Sequence, residues 1–144
     1  YPLGDATVDI LGPQGDFADS NNMSVVCRVS FGNRRFLMMG DAEKKAENAL
    51  ISSGTDLRAD VLKVGHHGSH SSTSSTFLAT VAPDHAVISC GENNRYGHPH
   101  PETLALLQQR HTHIWRTDRQ GTIVMTTDGD KLTVTTETGK EPTS

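Results

Sequence analysis

Residues 59–75 read Ala59-Asp60-Val61-Leu62-Lys63-Val64 and then Gly65-His66-His67-Gly68-Ser69-His70-Ser71-Ser72-Thr73-Ser74-Ser75. The first six are mostly apolar and rich in valine and leucine, the composition of a short strand. The glycine-flanked polar tract after them is a loop. A helix follows and stops before Pro83. The same order returns at once. His85-Ala86-Val87-Ile88-Ser89-Cys90 reads as a strand, residues 91–100 as a loop, and Pro101 opens a helix to about Arg110, since proline suits the first helical position. Strand, polar loop and helix in alternation place the chain among layered α/β or α+β folds.

Upstream, residues 6–11 form a short strand, and residues 12–22 carry the Gly, Pro, Asp and Asn of a loop. Residues 24–31 and 34–39 are β-rich runs joined by Gly32-Asn33, a tight-hairpin dipeptide. That hairpin delivers the chain to Gly40-Asp41. From 42 to 53, Ala42, Ala46, Ala49 and Leu50 recur on one helical face and Gly54 stops the run. Downstream, residues 113–117, 121–126 and 131–135 read as strands, the last two turned by Asp128-Gly129, and the tail from Thr136 is expected to fray.

The chain has 144 residues, which fits one domain. With 13 Lys+Arg against 17 Asp+Glu its net charge is −4, so binding to nucleic acid by counterion release alone is excluded and any phosphate contact has to be local. No apolar run is long enough to cross a bilayer, and Tyr1-Pro2-Leu3-Gly4-Asp5 lacks the profile of a signal peptide. Cys27 and Cys90 have no metal-pair spacing and read as two small buried hydrophobes.

Three loops at the carboxyl ends of predicted strands hold nearly every reactive side chain: Asp41, the tract 66–70, and the stretch Asn93-Asn94-Arg95-Tyr96-Gly97-His98. Ligands of α/β sheets gather at such ends. A carboxylate and imidazoles from separate loops suit a dinuclear divalent site. Each residue also has a simpler reading. Asp41 stands where a helix N-cap would. On an extended backbone the side chains of His66 and His67 point to opposite sides, so only one faces a given metal. The hydroxyl tract 71–76 most simply caps a helix. His70, His85, His100, His111 and His113 look like scattered surface or strand positions.

Read together, "FLMMGDAE", "ADVLKVGHHGSHSSTS", "AVISCGENNRYGHPHPETL" and "WRTDRQGTI" resemble the hydrolase domain of ComEC-type DNA internalisation competence proteins, a branch of the metallo-β-lactamase superfamily. The resemblance covers about residues 20–126. It implies an α/β, mixed α+β fold: half of a four-layer αββα sandwich, with a mixed sheet and helices on one face. It also implies a metal-dependent phosphodiester hydrolase, a nuclease acting on single-stranded DNA, with two divalent ions, zinc or manganese. By motif, Asp41 matches the bridging aspartate and His67 a metal ligand, with His66, Ser69 and His98 facing the phosphate or the leaving oxygen. Exchange of His66 and His67 is the alternative. Asn22 and Ser24 occupy the region of the family's middle metal histidine.

The chain departs from the pattern at its front, where no HxHxDH occurs; His98-Pro99-His100 and His111-Thr112-His113 lack the Asp-His continuation. The expectation is therefore the carboxyl-terminal half of the domain, at residues 1–144, borne by a bacterial membrane protein without inserting itself. Its partners are the N-terminal half, or a second copy docked through exposed sheet surface. Alone it should bind metal weakly and not turn over, or act only as a phosphate-binding module.

Overall fold

The structure, a computed structural model, describes residues 1–143. Its strands are β1 (Pro2–Leu3), β2 (Ala6–Gly12), β3 (Val26–Phe31), β4 (Arg34–Met38), β5 (Val61–Lys63), β6 (His85–Ile88), β7 (His113–Arg116), β8 (Ile123–Thr127) and β9 (Leu132–Thr136). Its helices are α1 (Lys44–Ser52), α2 (Ser75–Val81), α3 (Pro101–Gln109) and the single turn α4 (Thr117–Gln120). Strands β1 to β7 form one mixed sheet in chain order. The pairs from β1 to β4 are antiparallel and those from β4 to β7 parallel. The mixed α/β expectation is therefore met. The chain switches to parallel pairing at β4 because each later strand is followed by a helix that carries it back across the sheet.

Alternate residues of the central strands, Leu37 and Met39, Leu62 and Val64, Ala86 and Ile88, are buried with Ile114 against Leu50 of α1, Phe77 and Leu78 of α2 and Leu107 of α3. The period of two puts one face of the sheet into this core. The other face carries Val8, Val29 and Phe36 in one cross-strand row and Ile10, Cys27 and Met38 in the next. These residues are half-buried, apart from Ile10, which is exposed.

Strands β8 and β9 form a separate hairpin. It reaches the main sheet through its own backbone carbonyls: the Asn33 N–H donates to that of Gly129 at 2.6 Å, and the Arg34 side chain donates from Nε to that of Asp130 at 2.5 Å. Gly32, at φ 56°, has to be glycine, since a Cβ there would lie 2.5 Å from the Gly129 oxygen. Of the tail expected to fray, Thr136 closes β9, Gln120 donates to the Glu141 carbonyl, and Thr143 exchanges both backbone hydrogen bonds with Ile114. Ser144 lies outside the described residues. No helix among them is long and apolar enough to cross a membrane.

Three local expectations are corrected. Helix α1 starts at Lys44, not Ala42, and Asp41 does not cap it. That task falls to Asn22, whose buried side-chain oxygen accepts from the Glu43 and Ala46 N–H groups. The backbone at His66 and His67 is not extended but left-handed, with φ of 46° and 55°, inside a 3-10 turn over Gly65–Gly68. Cys27 and Cys90 are free thiols but only half-buried. The hydroxyl tract does cap a helix: Ser74 accepts from the Phe77 N–H at the start of α2.

Candidate metal and phosphate site

The parallel strands end together, and their trailing loops converge. After β4 comes Asp41, whose N–H donates to Ser24 Oγ at 3.1 Å. After β5 comes the left-handed turn with both histidines, and after β6 the loop 91–100 with His98. His67 Nε2 lies 3.4 Å from Asp41 Oδ1. The ring of His98 is 6.2 Å from that of His67 and 5.6 Å from that of His66, while the two adjacent histidines are 6.3 Å apart. The left-handed turn is what lets consecutive residues share one cleft.

Hydrogen bonding fixes how each ring is presented. His67 Nδ1 is 2.7 Å from the Ser89 carbonyl, which can only accept, so Nδ1 carries the proton and Nε2 of the neutral ring is a bare lone pair. That lone pair faces a carboxylate oxygen, and two acceptors so close require a cation or a proton between them. The chemistry of the pair therefore fits a divalent ion. It supplies two of the four or more donors such an ion takes, and among the described residues no group of three or more His, Cys, Asp or Glu could hold a metal ion.

His66 is presented by Glu43, whose Oε1 lies 3.0 Å from His66 Nδ1 and also accepts from Ser71 Oγ at 2.7 Å. Burial opposes the charge on Glu43, but hydrogen bonds from Ser71, His66 and Asn21 outweigh it and hold the carboxyl below its usual range. His66 Nε2 is thus the nitrogen left for a ligand. Ser69 is buried, and its hydroxyl is 2.9 Å from that of Ser71, so it meets the site only through the chain Ser71, Glu43, His66. His98 is pushed below the ordinary histidine range, first by burial and then by His100, His66, His67 and His70, which favours its neutral form.

Asn22 and Ser24, in the region of the missing histidine, are spent on capping α1 and on the Asp41 backbone. Sequence reasoning gave no role to Glu43, to the Ser89 carbonyl or to Lys63. Lys63 is half-buried at the end of β5, donates to the Val64 carbonyl at 3.1 Å, and is pushed down by burial against the opposing pull of Asp41. Glu43 carried one signal, its place in Gly40-Asp41-Ala42-Glu43; a backbone carbonyl carries none. Among the histidines without an expected role, His70 and His100 pair at 2.9 Å beside the cleft. His85 and His113 lie at the opposite end of the strands.

A mixed sheet with helices on one face and an Asp–His pair at its carboxyl edge agrees with the comparison by family: residues 3–92 match the family model of the metallo-beta-lactamase superfamily, and the chain belongs to that superfamily. Among curated proteins it is similar to ComE operon protein 3 of Bacillus subtilis (strain 168), 42% identical over 122 residues, which is 84% of this chain and 16% of that protein. It is also similar to Competence protein ComA of Neisseria gonorrhoeae, 38% identical over 73% of this chain and 15% of the relative. Recombination protein 2 of Haemophilus influenzae is 37% identical over 79% of this chain and 14% of its own length. The chain spans a small part of each of these relatives.

Proposed function

We propose that this chain is the bridging-carboxylate half of a metal-dependent phosphodiester hydrolase that cuts single-stranded DNA during DNA uptake. The observation that carries the reading is the approach of His67 Nε2 to an Asp41 oxygen, with His66 and His98 around the same cleft. The names of two relatives, one a competence protein and one a recombination protein, support the nucleic-acid part. In this reading Asp41 and His67 hold zinc or manganese, and an HxHxDH segment from a longer parent or from another chain completes the coordination. A divalent ion there would polarise the phosphoryl group and neutralise its developing charge. His66, oriented by Glu43, binds a phosphoryl oxygen through Nε2. His98 holds or passes the proton of the leaving oxygen. Ser69 stiffens the chain of hydrogen bonds behind His66.

A second reading, a phosphate-binding module without hydrolysis or a half-domain that waits for its partner, is favoured by the two-donor count. The partly open apolar row on the outer sheet face favours a covering partner, either the N-terminal half or a second copy. Calorimetric titration with zinc and manganese, run beside hydrolysis of single-stranded DNA, separates the readings. Weak metal binding by the chain, lost in Asp41→Ala, with turnover only when the HxHxDH segment is present, is expected for the hydrolase. Equal metal binding by wild type and Asp41→Ala would remove Asp41 from the site. Binding of phosphate with no turnover even in the completed protein would leave the module.

A further inference from the structure

Loop 91–100 carries an exposed ring, Tyr96, that the reaction above does not use, and it stacks outward from two histidines that the reaction does use. Tyr96 is 60% exposed. Its ring lies 5.6 Å from that of His98 with 19° between planes, and His98 lies 6.2 Å from His67, again at 19°. Each neighbouring pair is thus stacked, with Tyr96 on the solvent side and His67 beside Asp41. The Arg95 guanidinium sits 4.8 Å from the centre of the Tyr96 ring, and Arg95 also donates to the Tyr96 hydroxyl.

The loop under Tyr96 is pinned. Asn94 Oδ1 accepts from the Tyr96 and His98 N–H groups at 3.2 and 3.0 Å, and Asn94 Nδ2 donates to the Gly91 and His98 carbonyls. A large aromatic ring on a fixed loop loses little freedom when it binds. The net charge of −4 gives the surface as a whole no attraction for a polyanion, so affinity for nucleic acid has to come from local contacts. Stacking of an unpaired base on an aromatic face is such a contact, and every base has the face it needs.

We infer that Tyr96 is a base-stacking subsite: it takes an unpaired nucleobase of single-stranded nucleic acid beside the phosphate site, and Arg95 turns to the neighbouring phosphate. The inference rests on the phosphodiester reading. It adds a reason for single strands, because the bases of a duplex are already stacked on one another.

Fluorescence anisotropy of the chain with a labelled single-stranded oligonucleotide, an abasic oligomer of equal length and charge, and a duplex tests it. Tyr96→Ala should weaken binding of the intact single strand about 5- to 150-fold, the equivalent of roughly 1–3 kcal/mol per stacked base. Tyr96→Trp should retain it, and the abasic oligomer should not distinguish wild type from Tyr96→Ala. Equal weakening for intact and abasic oligomers, or none for either, overturns the subsite, and the latter is what a Tyr96 that anchors a protein partner would give. If the wild type binds both oligomers and Tyr96→Ala changes neither, the phosphodiester reading survives alone. If the wild type binds neither, the subsite falls, and the phosphodiester reading is decided by turnover of the completed protein. Matching thermal melts of wild type and Tyr96→Ala control for folding.

Discussion

Glu43 sits two residues from Asp41 but serves a different histidine. Its carboxylate takes hydrogen bonds from Ser71 and His66, and the Asn21 side chain approaches at 3.4 Å. A carboxylate behind an imidazole fixes the tautomer and the ring plane, and losing such a partner typically costs about 10–100-fold in affinity or activity. On the proposed assignment of the metal to Asp41 and His67, Glu43→Gln should therefore reduce phosphodiester turnover of the completed enzyme by about that range while metal content stays near wild type. Metal analysis and steady-state kinetics on one preparation read both, and parallel loss of metal would place His66 among the ligands. Much of this was legible from residue type and position. Asp41, His66, His67 and His98 stand out because reactive side chains cluster after strand ends. What fixes their tautomers was not: the Ser89 carbonyl is backbone, and Glu43 reads equally well as a charge on the solvent face of a helix.

The turn over Gly65–Gly68 and the loop 91–100 belong to different β–α units and yet meet at one point. Gly68, at φ 80°, faces Pro99 so closely that a Cβ would lie 2.6 Å from the proline Cβ. The His100 N–H also donates to the Gly68 carbonyl at 3.0 Å. Gly68→Ala would meet both the left-handed backbone and the proline, and should cost about 1–3 kcal/mol of stability while separating His98 from His67. Thermal denaturation checks the first effect and the loss of Tyr96-dependent oligonucleotide binding the second. At the start of α1, Asn22→Ala removes two accepted hydrogen bonds from a buried position and should cost about 1–2 kcal/mol in the same assay. Strands β2 to β9 and helices α1 to α3 were readable from periodicity and turn residues, with ends off by a few residues, while the two-residue β1 and the single turn α4 are too short to show a period. The left-handed pair at His66 and His67 was not, because nothing short of the Gly65 and Gly68 contacts forces non-glycine residues into that region.

Across the whole molecule the histidines divide between the two edges of the parallel strands, and the edge away from the candidate site holds a histidine whose titration ties stability to pH. There the indole Nε1 of Trp115 donates to His85 Nδ1 at 3.1 Å, and the His113 ring lies 5.2 Å from that of His85. A cleft lined by Arg34, Asp60, Asp84, His111, His113 and Leu132 opens beside it, where the β8–β9 hairpin meets the sheet. Burial, then the charge of His113, push His85 below the ordinary histidine value of 6.5, with Asp84 and Asp60 pulling the other way and Arg34 adding to the push. A depressed folded value means that the unfolded chain binds the proton first. Stability from this group is therefore complete above about pH 6.5 and is lost as the pH falls through that value towards the folded one. Protonation also removes the acceptor of the only tryptophan in the chain. Denaturant midpoints followed by Trp115 emission should fall between pH 7.5 and pH 5. In His85→Gln, where the amide oxygen still accepts from the indole but does not titrate, that fall should be shallower, and the difference between the two curves isolates His85 from His98, whose value is also depressed. Superimposable curves would show that the acid sensitivity arises at the other edge of the sheet, among the histidines of the candidate site.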